Sequence, residues 1–176
     1  MLQSWLTEIP WATIAGILAM VCLAFSPLFR QRSSVLLAQL GTSAGYGVHY
    51  ALSGHMTAAV ACGLSVIQIL LAIPIAARPS LKPLFYLFVP VLVVTATLTW
   101  QGPVSAAAAI ALAFTTLARL QERTTRLREF MLGAQSAWLV HDLAVWSLPA
   151  IAGDAASLVT GLMMVARQHS HKVRHA

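Results

Sequence analysis

Two histidines and one aspartate lie inside long apolar stretches of this sequence. His49 follows Tyr46 by three positions, His141 follows Trp138 by three, and Asp142 comes directly after His141. An ionisable side chain within hydrocarbon costs several kcal/mol unless it is paired, neutralised or hydrated. A neutral imidazole donates and accepts hydrogen bonds, and it takes up a proton near neutral pH. The three residues are therefore the first candidates for a functional site.

The two histidines belong to a pattern that occurs twice. A glycine, an aromatic residue, a valine and a histidine recur at a constant offset of 92 positions, as Gly41/Gly133, Tyr46/Trp138, Val48/Val140 and His49/His141. Coincidence is the alternative, since Gly and Val are common here, but histidine within an apolar stretch is not. The pattern predicts an internal repeat in which the two imidazoles form a pseudo-symmetric pair that lines an outward-opening cavity.

Aromatic and amide side chains on the same two segments complete the predicted binding site. On a helix, Asp142 points about 100° away from its neighbour, so the alternative for Asp142 is a role at the interface of the second half. The structural alternative is that each histidine caps a turn or bonds a carbonyl across helices, as polar side chains in membrane bundles do. The predicted substrate-binding residues are Gln39, Tyr46, His49, Gln135, Trp138, His141 and Asp142.

The composition indicates that lipid surrounds the chain. Of its 176 residues, 59% are hydrophobic and 9% are charged, and the mean hydropathy is +0.77. A soluble domain has about 25% charged residues, so this chain has too few polar groups to cover a surface in water. The formal charge of +6 does not indicate a nucleic-acid partner, because the positions of the charges follow the membrane pattern described below.

The sequence contains no pattern typical of an enzyme or a metal site. Cys22 and Cys62 both lie within apolar stretches and form no CxxC pair. There is no HExxH motif, no glycine-rich phosphate loop and no pair of carboxylates in one helical register. We therefore expect no catalytic residue, no metal and no cofactor.

Seven apolar stretches are each about long enough to cross roughly 30 Å of hydrocarbon. The first lacks the basic leader and the cleavage site of a signal peptide, so we interpret it as a retained span. The sequence thus predicts an all-α, polytopic membrane protein with seven transmembrane helices. The predicted spans are residues 10–29, 35–53, 56–77, 83–100, 104–120, 127–148 and 152–166.

The charges predict the orientation of these spans. All eleven Lys and Arg residues fall after spans one, three, five and seven, on one side. The other side receives Glu8, the 54–55 turn, the 101–103 turn and the segment around Asp154, which contain no Lys or Arg. Because basic residues accumulate in the cytoplasm, the N-terminus is predicted outside and the C-terminus inside. The basic face would bind anionic lipid headgroups.

The repeat and the spans together predict a three-one-three arrangement. One helix separates the two halves, so both halves would face the same way across the membrane, as a parallel repeat. The predicted units are a first three-helix bundle at 1–77, a linker helix at 78–102, a second bundle at 103–167, and a basic, His-rich cytoplasmic tail at 168–176.

Two segments resemble the YgjV family of bacterial inner-membrane proteins. The first is 47–54 together with the small-residue helix that follows it. The second begins at 138–142 and continues through 161–162 to Arg167. The likeness covers most of the chain, from 31 to 167. The sequence departs from that family's pattern at Ser65 and Gln68, and again at Thr160 and Met163. The resemblance implies a location and an architecture more than an activity. The layout is also similar in outline to SWEET and PQ-loop transporters, by fold-level analogy only.

These observations leave two hypotheses about function. The first is a carrier of a small solute, with a central cavity between the two bundles that rock about it. The second is a non-transporting membrane receptor or scaffold, in which the histidines within the membrane are structural. The sequence does not distinguish them, and it does not indicate an oligomeric state.

Overall fold

The structure, a computed structural model, describes residues 10–75 and 78–174. Glu8 and His175, and the side chains of the predicted tail from His169 onward, lie outside this description. The described part of the chain is helical. Its seven α-helices are α1 Pro10–Phe25, α2 Arg32–Leu52, α3 Met56–Ile75, α4 Phe88–Leu98, α5 Pro103–Leu120, α6 Thr124–Val145 and α7 Leu148–Arg174. The prediction of seven helices is confirmed for these residues.

Five helical segments are long and apolar enough to cross a membrane. They are Trp11–Leu28, Met56–Ile75, Ser80–Leu98, Pro103–Leu120 and Leu148–Gln168. Helices α2 and α6 have 21 and 22 residues, which is long enough, but they are too polar to qualify by composition. Their buried positions include Gln39, His49, Gln135, His141 and Asp142, so part of the polarity that disqualifies them faces the interior of the protein.

The turn between α6 and α7 is tighter than the sequence predicts. Trp146 ends α6 in the left-handed conformation, with φ 56°, and its N–H donates to the Asp142 carbonyl. Pro149 lies in the first turn of α7, where a proline fits because its missing N–H has no partner there. As a result α7 begins at Leu148 and not at residue 152. Asp154, which the sequence analysis grouped with the outer turns, lies buried within α7.

Six of the helices contact one another in a closed circuit. Helix α1 packs on α2 and α2 on α3, while α5 packs on α6 and α6 on α7. The circuit is closed by α1 against α7 and by α3 against α5. Helix α4 follows a 3-10 segment at Pro79–Leu87 and lies outside the circuit, against α3 and α5.

An arginine at the start of α2 joins the ends of other helices. The Arg32 guanidinium donates to the carbonyls of Ala72 at 3.0 Å, Arg119 at 2.8 Å and Gln121 at 3.1 Å. These carbonyls lie at or near helix C-termini, which lack internal partners and favour a cation. In the same way, Arg128 Nη2 of α6 donates to the Phe29 carbonyl at 2.6 Å, just after α1. Both side chains therefore hold one end of the helix circuit together.

Replacing Arg32 tests this role. We expect Arg32→Ala to lower the free energy of unfolding by about 3 kcal/mol, because hydrogen bonds from a charged donor each contribute about 1.5–3 kcal/mol. Thermal unfolding of the detergent-purified protein measures the loss. Arg30→Ala is the matched control, since Arg30 is exposed two positions earlier. If both variants melted at the same temperature, Arg32 would not hold these helix ends.

Candidate functional site

A cavity of about 50 Å³ lies inside the circuit of six helices. It has room for about three water molecules. Pockets for drug-sized ligands begin at about 300 Å³, so this conformation accommodates water or a very small solute only. The wall is made by Leu23, Gln39, Thr42, Ser43, Tyr46, Tyr50, Cys62, Ser65, Thr115, Arg119, Met131, Gln135, Trp138, Asp142 and Asp154.

Five of the seven residues predicted for the site are part of this wall. They are Gln39 and Tyr46 on α2 and Gln135, Trp138 and Asp142 on α6. The Tyr46 hydroxyl also donates to the Pro149 carbonyl at 3.2 Å, which connects α2 to α7. The two predicted histidines lie beside the cavity and do not line it.

His49 connects three segments by two hydrogen bonds. Its Nδ1 lies 2.9 Å from the Ala12 carbonyl of α1, and its Nε2 lies 2.9 Å from Ser147 Oγ, before α7. A carbonyl only accepts, so Nδ1 carries the hydrogen, and a neutral ring then accepts the Ser147 hydroxyl proton at Nε2. This is the arrangement of the structural alternative, in which the histidine bonds a carbonyl across helices.

His141 interacts with its neighbour in sequence. Its Nδ1 lies 2.8 Å from Asp142 Oδ1, although the two residues leave the helix in different directions. The Tyr50 hydroxyl donates to the same carboxylate oxygen. Asp142 therefore receives two hydrogen bonds, one from its own helix and one from α2.

Tyr50 is the aromatic centre of the site, and the sequence analysis missed it. Its ring stacks on Trp138, with centroids 6.2 Å apart and an angle of 12°. The rings of His49 and His141 lie 5.3 Å and 5.6 Å from it. The signal was available in the repeat, because Tyr50 and Asp142 are themselves 92 positions apart.

Asp154 is a second buried acid on the cavity wall. It is 2% exposed, and it lines the same cavity as Asp142, which is 1% exposed. Its Oδ2 atom has no hydrogen-bond partner. Asp154 lies within the predicted span 152–166, but it was grouped with the outer turns by its charge, so its burial was not predicted.

Arg119 is a buried cation that the sequence analysis counted among the loop charges. It is 1% exposed; its Nη1 donates to Gln68 Oε1 at 2.5 Å, and Gln68 Nε2 donates to Thr116 Oγ1 at 2.8 Å. Its Nε has no partner. Within the described ranges, no carboxylate forms an ion pair with Arg119. Its position inside predicted span 104–120 was the signal that it is not a loop residue.

The charges of the wall are separated along the bundle. Arg119 comes one residue before the end of α5, at the end where the basic loops lie. Asp142 comes near the end of α6, and Asp154 near the start of α7, so both acids lie toward the opposite end. The cavity therefore has a cationic side and an acidic side.

Most of the wall consists of residues that are 92 positions apart. Both members of each pair line the cavity, although only one pair belongs to the pattern seen in the sequence. The pairs are Leu23/Thr115, Gln39/Met131, Ser43/Gln135, Tyr46/Trp138, Tyr50/Asp142 and Cys62/Asp154. In each pair that contains an acid, the acid belongs to the second half of the chain.

Two titratable groups outside the helices have shifted pKa values. Burial in the turn after α2 lowers the pKa of His55, and the neighbouring His141 and His49 add to this effect. At the basic end, Lys82 forms an ion pair with Glu122 and lowers the pKa of that carboxyl group, by its hydrogen bond and by its charge. His55 therefore favours its neutral form beside the acidic side of the cavity.

Comparison with known proteins gives one match. A family model described as Imp-YgjV, bacterial inner membrane protein, matches residues 10–172. No curated protein and no solved structure matches the chain. The matched range contains all five apolar helical segments and agrees with the resemblance found in the sequence. The chain belongs to the Imp-YgjV family of bacterial inner membrane proteins.

Proposed function

We propose that this protein carries a small polar solute across the inner membrane and binds it in the cavity. The observation that carries the proposal is the composition of the wall. Pairs of residues 92 positions apart face one shared cavity, which is what a binding site between two repeats requires. In this proposal α1 to α3 and α5 to α7 are parallel bundles, within 1–77 and 103–167, and α4 belongs to the linker 78–102.

The packing of equivalent glycines supports the repeat. A Cβ atom at Gly41 would lie 2.9 Å from Cys22 Sγ of α1, and one at Gly133 would lie 2.8 Å from Phe114 Cδ1 of α5. Cys22 and Phe114 are also 92 positions apart. The two glycines thus allow the same close approach of first and second helix in both halves.

The contacts between the halves support it as well. In the proposed repeat, α1 corresponds to α5 and α3 corresponds to α7. The interface of α3 with α5 is therefore equivalent to the interface of α7 with α1, and the structure has both. The arginines follow the same rule, because Arg32 of α2 bonds the end of α5 and Arg128 of α6 bonds the end of α1. Rocking of the bundles about these two interfaces would open the cavity alternately to either side.

The charges support seven spans with the N-terminus outside and the C-terminus inside. Helices α2 and α6 expose few of their polar groups to lipid, because those groups line the cavity or bond within the protein. Arg30, Arg78 and Arg123 lie at one end of the bundle, while the turns at Gly54 and Gly102 contain no Lys or Arg. This distribution follows the positive-inside rule.

Arg119 indicates the chemical class of the solute. A buried guanidinium remains charged, and without an anion it is costly within a membrane protein. Its Nε–H group has no hydrogen-bond acceptor, and no carboxylate of the described residues forms an ion pair with it. We therefore expect a small solute with an anionic group, such as a short organic acid.

The receptor or scaffold hypothesis has one specific observation in its favour. His49 uses both ring nitrogens to join α1, α2 and the start of α7, which is a structural role. A scaffold does not need the free polar atoms of Gln39, Arg119 and Asp154 at an internal cavity, however. These unpartnered groups favour the carrier.

Ligand-dependent unfolding tests the binding site. We expect one or more short organic acids, among a panel with sugars, nucleosides and amino acids, to stabilise the detergent-purified protein. Saturation at about 100 times the dissociation constant would add about 2.7 kcal/mol. Arg119→Gln should abolish this stabilisation.

Arg126→Gln is the matched control, since Arg126 is exposed at the same end of the bundle. It should retain the full effect of the ligand. Arg119→Lys, which keeps the charge without the planar fork, distinguishes loss of binding from loss of folding. If no compound of the panel stabilised the folded wild-type protein, the receptor or scaffold hypothesis would replace the carrier.

Thiol labelling tests the orientation. In a background with Cys22→Ser and Cys62→Ala, single cysteines at Ser53 or Gln101 should react with a membrane-impermeant reagent added to spheroplasts. Single cysteines at Glu122 or Arg123 should react only after the membrane is permeabilised. All four positions are exposed. The opposite pattern of labelling would reverse the proposed topology.

A further inference from the structure

We propose that Asp142 and Asp154 form a proton-binding site in which the two carboxyl groups share one exchangeable proton carried by Asp154. The existence of this site is independent of transport. Its role as the coupling-ion site, by which one proton moves with the solute, rests on the proposed function.

Burial and proximity require the shared proton. The two residues line the same cavity of about 50 Å³, and each is at most 2% exposed. Two carboxylates on the wall of so small a cavity, at a site of low dielectric, cannot both be ionised, as in other acid pairs that share one proton.

The surrounding donors decide which acid carries the proton. Asp142 Oδ1 accepts from the Tyr50 hydroxyl and from His141 Nδ1. Two donors therefore satisfy the Asp142 carboxylate. No side chain of the described residues donates to Asp154, so Asp154 is the acid that carries the proton. Its Oδ2 atom is buried and unpartnered on the cavity wall.

No lysine or arginine in the described part of the chain neutralises the two acids, so the proton is the cation that the pair binds. No Lys or Arg of the described residues forms an ion pair with either acid. Arg119, on α5, lies on the opposite side of the cavity, and α1 contributes only Leu23 to the wall. The titratable groups that surround the pair are Tyr46, His49 and Tyr50 on α2, His55 in the following turn, Cys62 on α3 and His141 on α6.

The cavity gives the proton a route. Gln39 Oε1 is a second buried acceptor without a partner on the same wall, so the space between it and Asp154 suits water. When the site opens, the O–H bond of Asp154 breaks and its proton passes to a cavity water, which leaves Asp154 as a carboxylate. Proton uptake from water at the other side restores the pair.

Infrared spectroscopy of the purified protein at neutral pH tests the site without any solute. We expect a carbonyl stretching band of a protonated carboxyl group that shifts in D₂O and has the intensity of one group. Asp154→Asn should lose this band completely. Glu122→Gln, which removes an exposed acid at the basic end, should keep it.

A pH titration of the infrared band in the wild-type protein tests the site even if the Asp154→Asn variant does not fold. Raising the pH should remove the intensity of a single group, whether or not Asp154→Asn folds. Absence of the band at neutral pH would overturn the proposal, and so would its persistence in folded Asp154→Asn.

Solute uptake into proteoliposomes then tests the coupling. An inward proton gradient should drive accumulation by the wild-type protein, whereas Asp154→Asn, which resembles the protonated state, should only equilibrate the solute. If the infrared band is present but no compound binds and no uptake occurs, the proton site is supported and the carrier function is rejected. If a ligand stabilises the protein but the band is absent, the carrier function is supported and the proton site is rejected.

Discussion

The hydrogen bond from Tyr50 to Asp142 joins α2 to α6. The two residues are 92 positions apart, the same separation that relates most of the residues on the cavity wall in pairs. Burying an aspartate inside a membrane protein requires such a donor, because an unpaired charge is costly there. The stacking of Tyr50 on Trp138 fixes the direction of the hydroxyl, and the acidic side of the cavity is built around this contact.

The cavity wall accounts for part of the polarity of α2 and α6, the two helices that do not qualify as spans by composition. Helices α2 and α6 supply nine of the residues on the cavity wall, and they are packed between the other helices of the circuit. Their polar faces need not contact lipid. Helices with more surface toward lipid must be apolar. Examples are the segment Trp11–Leu28, which is 28% buried, and the segment Ser80–Leu98, which is 11% buried.

Hydrophobic length and charge placement were enough to predict the number of helices, and the repeat predicted that Tyr46 and Trp138 share a region. Helix ends were harder, because a tryptophan in the left-handed conformation ends α6 and no glycine marks the turn. Asp154 was missed for another reason, because it was grouped by its charge with the outer turns although it lies within predicted span 152–166. Arg119 was misplaced for a related reason, since charge counting does not distinguish a loop arginine from one that turns back into the bundle.

In the proposed repeat, the two halves of the cavity wall differ in charge. The positions equivalent to Arg119, Asp142 and Asp154 in the first half are Pro27, Tyr50 and Cys62, all of them uncharged at neutral pH. All charged residues of the wall belong to the second half. Arg119 lies toward one end of the cavity, and Asp142 and Asp154 lie toward the other, so the two ends differ in charge. The neutral half supplies the donor that Asp142 needs and the volume beside Asp154. Each half therefore contributes what the other lacks, and neither half alone would hold the buried charges.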